Sequence, residues 1–141
     1  MAATTTETGQ VLEFTLGSEV YCVSIDNVTE IVGMSDLTAV PNTPAHVEGV
    51  MDLRGRTTTI VNPKTVLNLA DDEMGERIIV FDPELFEESQ SVGWVVDSVR
   101  EVIRVSKDDV DESPGDDDYI EGVHKRDDDF VIWVKPKTLH A

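Results

Sequence analysis

The chain has 141 residues, 40% of them hydrophobic, which suits one domain with a core large enough to need no disulfide or metal staple. Asp and Glu number 29 against 11 Lys and Arg, a formal net charge of −18, so the surface repels nucleic-acid phosphates, anionic lipid and, unless salt screens it, itself. No apolar run is long enough to cross a bilayer, the first ten residues lack the pattern of a secretory or transit peptide, and the single cysteine, Cys22, fits a reducing cytoplasm.

Residues 1–9 are expected to form a flexible tail, and residues 10–141 a single domain. Leu12, Phe14 and Leu16 share one face of a first strand. Gly17-Ser18-Glu19 is a turn, and Tyr21, Val23 and Ile25 share a face of a second strand, so the pair reads as a hairpin. Asn27 to Gly33 reads as a third strand or as a helical turn leading into one. Pro41-Asn42-Thr43-Pro44 is a loop, because proline lacks a donor and restricts the residue before it. Ala45 to Met51 reads as a short helical turn. Thr57 to Val61, rich in β-branched residues, reads as a strand. Pro63 to Leu69 has a helical pattern, with proline at an early position. Strands follow over Arg77–Phe81, Ser91–Asp97, Val99–Val105, Tyr119–Lys125 and Phe130–Lys135, separated by the polar stretch 82–90 and the acidic stretch 108–118. About nine short strands at close spacing indicate an all-β barrel or sandwich.

Chemistry is sparse along this chain. There is no Gly-rich phosphate loop and no nucleophile elbow. His46, His124 and His140 have no neighbours at ligand spacing, so no metal and no cofactor is expected. The acidic blocks, such as Asp116-Asp117-Asp118 and Asp127-Asp128-Asp129, fit no calcium-loop frame and read as solvated charge. Their abundance is expected of a protein adapted to a salty cytosol, a basic docking partner being the rival explanation. Arg54, on a turn closed by Gly55, is a guanidinium free to engage a carboxylate or a carbonyl, or simply a local ion pair.

The stretch from Pro41 to Gly55 resembles the N-T-P-x-x-x-x-G-V-x-N-L-R-G signature of the CheW family of chemotaxis coupling proteins. Four further segments resemble that family in the same order: Val11 to Tyr21, Val28-Thr29-Glu30-Ile31, Gly93 to Val102, and Tyr119 to Val123. Three departures stand out: Asp52 replaces the family's asparagine, Thr59 its usual proline, and Asn62-Pro63-Lys64 its Asp-Leu-Arg.

The resemblance implies two intertwined, pseudo-symmetric five-stranded SH3-like barrels with short helical segments. It implies a cytoplasmic, non-catalytic adaptor of a haloarchaeal-like kind. Such an adaptor couples the hairpin tip of chemoreceptors to the regulatory domain of the histidine kinase CheA within receptor arrays. The receptor-facing positions carried over are Val28, Glu30, Ile31, Gly49, Leu53 and Arg54. The apolar ones are expected to line a groove with Glu30 and Arg54 at its rim. Neither nucleic acid nor direct membrane insertion is implied. The alternative is a stand-alone small β-barrel that binds a ligand or performs catalysis through a loop-borne site.

Overall fold

The structure, a computed structural model, describes residues 8–69, 73–86, 90–111, 120–126 and 129–136. The expectations for residues 1–7, for 112–118 of the acidic stretch 108–118, for Tyr119, Asp127 and Asp128 and for His140 lie outside these. The chain divides into two units, one combining residues 1–26 with 99–141 and the other formed by Asn27–Ser98.

The first unit holds a six-stranded sheet built from β1 (Thr8–Leu16), β2 (Glu19–Ser24), β8 (Ser98–Ser106), β9 (Val110–Asp111), β10 (Ile120–Arg126) and β11 (Asp129–Val134). The spatial order is β8-β1-β2-β11-β10-β9. β1 and β2 form the expected hairpin, with Leu16 opposite Glu19 and Gly17 at φ 64 in the turn. Short hairpin turns need such a positive φ to match the strand twist. β11 then lies parallel to β2, placing Val131 beside Val20 and Trp133 beside Cys22. Val11, Cys22, Val105 and Val131 form the core of this sheet, with Ile103, Val110 and Trp133 packed around it. β1 departs from its expected one-sided pattern: Val11, Leu12, Glu13 and Phe14 are all buried, so both of its faces are covered. Ile25 leaves the second strand for a single 3-10 turn, Ile25–Asn27.

The second unit is a five-stranded sheet of β3 (Val28–Gly33), β4 (Val47–Leu53), β5 (Arg56–Val61), β6 (Arg77–Phe81) and β7 (Val92–Val96). Its order is β3-β6-β7-β5-β4. β7 sits centrally, antiparallel to β6 and parallel to β5, and all five of its residues are buried. Its Trp94 meets Phe81 edge-on at 4.9 Å between ring centroids. Met51, Ile60, Ile78, Val80 and Val95 make the core, against which Val32, Met34, Leu37 and Leu53 pack. The outer strands are also joined. After β3 the chain runs to Thr38, which exchanges both backbone hydrogen bonds with Val50 of β4 at 2.9 Å each. That link closes the sheet as an SH3-like barrel requires.

Two expectations change here. Of residues 45–51, read as a helical turn, only Ala45 and His46 form a turn; Val47 to Met51 belong to β4, because they pair along β5. The helix α1 (Pro63–Val66) is one turn long and does not reach Leu69. Asn68 takes a left-handed conformation, φ 58, and the Leu69 N–H returns to the Lys64 carbonyl at 2.8 Å. This is how a helix closes its free carbonyls and stops.

Candidate functional site

The signature arginine sits where its backbone has a preference against it. β4 and β5 join through a two-residue turn, Arg54-Gly55, with Leu53 opposite Arg56. Arg54 has φ 56 and Gly55 φ 80, the pair of positive angles that marks a type I′ turn. Gly, Asn and Asp fill such positions readily, and another L-residue there costs about 1–2 kcal/mol. The arginine stays in this conformation with its side chain 82% exposed, its Nη2 3.2 Å from Oε1 of Glu30 on β3. An exposed pair of this kind contributes little to stability, but it draws together β3 and the β4–β5 turn. The fork keeps donors free toward solvent, able to meet a carboxylate or carbonyl from outside.

The six carried-over positions all lie in the second unit, on β3, on β4 or at the β4–β5 turn. Glu30 and Arg54 come together. Ile31 is 41% exposed, whereas Glu30 and Val32, on the opposite face of β3, are half-buried. Val28 is half-buried, and an irregularity between Val28 and Glu30 shifts the β3–β6 register there. Leu53 packs against the core cluster rather than standing open. Gly49 is buried, and a Cβ at its φ of 152 would collide with the Thr38 carbonyl. Its glycine is thus demanded by barrel closure. Of the three apolar side chains, Ile31 offers the most surface.

Among the described residues no group of three or more His, Cys, Asp or Glu is placed to hold a metal ion. His124 is buried, its Nδ1 3.4 Å from the Asp109 carbonyl oxygen. The Cys22 thiol is buried and its pKa is pushed up to about 12, by burial first and by the Glu13 charge second. A thiol held neutral in this way is a poor nucleophile.

Residues 10–141 match the CheW-like domain family. The chain belongs to that family. It is 31% identical to the chemotaxis protein CheW of Treponema pallidum over 94% of this chain and 82% of that one. It is 29% identical to the chemotaxis protein CheW of Thermotoga maritima over 89% and 83% respectively. Its structure resembles the crystal structure of the scaffolding protein CheW from Thermoanaerobacter tengcongensis, with a TM-score of 0.80, 28% identity, and coverage of 90% of this chain and 88% of that one. The strand content and the two sheets fit the CheW fold.

Within this CheW-like frame the three departures find physical places. Asp52 is exposed on β4. Thr59 donates its backbone N–H to the Ser91 carbonyl at 3.0 Å, a bond that proline could not make. Lys64 is the residue that sequence reasoning missed. It is buried, and its Nζ lies 3.0 Å from Asp97 Oδ1 and 2.8 Å from the Glu73 carbonyl. A buried cation requires such partners. The signal available in the sequence was Lys64 standing where the CheW signature carries arginine, paired with the aspartate of the Gly93–Val102 segment. Asn62 caps the turn through Oδ1 to the Lys64 N–H at 3.0 Å and donates to Glu48 at 2.8 Å.

Proposed function

We propose that this CheW-like domain is a non-catalytic adaptor that couples chemoreceptors to the histidine kinase CheA. The observation that carries the reading is Arg54, kept at a positive φ and 82% exposed although Asn or Gly would suit the turn better. Backbone cost accepted at an exposed position points to selection for the side chain. The receptor's helical hairpin tip docks on the site built from Val28, Glu30, Ile31, Gly49, Leu53 and Arg54. Ile31 supplies the apolar contact and Arg54 the polar one, while Leu53 and Gly49 shape the strand beneath. The kinase contributes its regulatory domain, and many weak contacts act together in an array. The acidic surface belongs to a salt-rich, haloarchaeal-like cytoplasm.

Receptor-dependent kinase activation, measured beside thermal unfolding, tests this. Arg54→Asn is expected to unfold no earlier than the native chain, since asparagine tolerates the left-handed turn, yet to lose coupling. Ile31→Ala is expected to weaken receptor binding about 10- to 100-fold, because an apolar anchor buried on docking is worth roughly 1.5–3 kcal/mol. Asp108→Ala, at an exposed acid of the other unit, serves as the control. Full coupling by the folded Arg54→Asn protein would sink the proposal.

A further inference from the structure

β3 carries an inserted residue within the candidate site. Where the chain enters the strand it is pinned to β6 in one register: the Asn27 carbonyl accepts the Asp82 N–H at 2.8 Å, and Val28 stands opposite Phe81. Further along it is pinned in another. Glu30 faces Val80, Ile31 faces Ile79, Val32 faces Ile78, and the Met34 N–H reaches the Glu76 carbonyl at 2.9 Å. Between the two, Thr29 has no residue opposite it, as the extra residue of a β-bulge does not. Its Oγ1 donates instead to the Val80 carbonyl at 3.2 Å. The side chain thus spans the gap that the backbone ladder leaves at the bulge.

This insertion decides which way the site residues point. Side chains opposite one another across a ladder share a face. A ladder running unbroken from Val28 and Phe81 would set Glu30 opposite Ile79 and Ile31 opposite Ile78. Ile78 belongs to the barrel core and Ile79 is fully buried on the other face. Ile31 would then turn inward and Glu30 would turn to the face of Ile79. The extra residue reverses both, since a shift of one residue exchanges the faces of a strand. Glu30 takes the face of Val80 and comes within 3.2 Å of Arg54, whose neighbour Leu53 packs on the same cluster as Val80. Ile31 is left with 41% of its surface in solvent.

We infer that Thr29 is a positioning residue of the receptor site: its hydroxyl holds the bulge in the geometry that aims Glu30 at Arg54 and leaves Ile31 open to dock. The six positions carried over from the CheW signature pass over it. This role rests on the receptor reading proposed above, and Thr29 acts through Glu30 and Ile31 rather than by touching the receptor. Strand preference and hydrogen bonding make opposite demands at this position. Valine has the shape of threonine without the donor and suits a strand as well, whereas serine keeps the donor but lacks the β-branch that strands favour.

The native chain, Thr29→Val, Thr29→Ser and Glu30→Gln, each full-length and isotope-labelled, are compared by thermal unfolding, by cross-strand NOEs from Val80, by the Arg54 Nε–H signal and by titration with a receptor hairpin-tip fragment. Thr29→Val is expected to stay folded, to weaken the Glu30–Val80 NOEs and to move the Arg54 signal toward its value in Glu30→Gln. It should bind the fragment about 2- to 10-fold less tightly, the range that one net hydrogen bond supplies. Thr29→Ser is expected to keep the native NOEs, Arg54 signal and affinity. Native NOEs, a native Arg54 signal or native affinity in Thr29→Val overturns the inference. So does a Thr29→Ser chain that behaves as Thr29→Val does, and so does unfolding of Thr29→Val, which would make the residue a structural one. A native chain that binds no fragment, with the NOEs and the Arg54 signal changing as expected, refutes the receptor reading and leaves the aiming of Glu30 by Thr29 standing.

Discussion

Cys22 shows how far one position is governed by its surroundings. Flanked by Tyr21 and Val23, it reads as a strand residue, and it is one. What local sequence does not reveal is that Glu13 lies opposite it across the β1–β2 ladder and is itself buried. Burial, then the Glu13 charge, raises the thiol pKa from an ordinary value near 9 to about 12. The folded chain therefore holds this proton where the unfolded chain has released it. The stabilisation is complete below pH ~9 and declines as pH rises toward ~12. Unfolding free energy measured by denaturant is expected to fall across that window. Cys22→Ala should flatten the decline in part, leaving the contribution of Tyr21, whose pKa is raised by burial and by Glu19. A thiol reagent at neutral pH should label the native chain no faster than global unfolding allows. Rapid labelling of the folded protein would contradict the burial.

At the scale of elements, Lys64 ties α1 to the end of β7 and to the stretch before β6. Its ammonium is almost wholly buried, whereas Asp97 keeps 27% of its side chain in solvent. The two partners should thus respond unequally to substitution. Asp97→Asn takes from a buried cation the carboxylate that lies 3.0 Å from it and is expected to cost about 3 kcal/mol. Lys64→Met fills the same volume with apolar atoms and leaves the carboxylate partly hydrated, so it should cost clearly less. Chemical denaturation of both variants checks the order, and a larger loss for Lys64→Met would refute this account. The pair should also be less sensitive to salt than the exposed Arg54–Glu30 contact. Strands β5, β6, β7 and β11 were legible because β-branched and apolar residues bounded by turn residues mark them locally. β4 was not. Its glycine and its prolines upstream look like a turn, and only pairing with β5 and the approach of Thr38 make it a strand.

For the whole molecule the dominant quantity is charge. A net charge of −18 on 141 residues gives self-repulsion that the compact state must bear and the expanded state relieves. Stability is therefore expected to rise with salt. The Debye length falls from about 10 Å at ~0.1 M to about 3 Å at ~1 M, short enough to separate neighbouring acid blocks. Thermal unfolding in molar potassium chloride should have a higher midpoint than in dilute buffer, and equal midpoints would assign the acids to a basic partner instead.

The sequence by itself determined the all-β class, most strands and the ordered CheW signatures, because period-two patterning and turn residues act over a few neighbours. It also carried the candidate site as far as the Leu53-Arg54-Gly55 turn, since that motif is contiguous. Only the tertiary structure decided the rest. β1 and β2 share a sheet with β8 to β11, and β2 lies beside β11, more than a hundred residues away. No local pattern records such a pairing. The same holds for Glu30 meeting Arg54, for Leu53 turning into the core while Ile31 turns out, and for Lys64 finding Asp97. Each depends on which strands the backbone hydrogen bonds bring side by side, and that choice is made by burial summed over the whole sheet rather than by any one segment's preference.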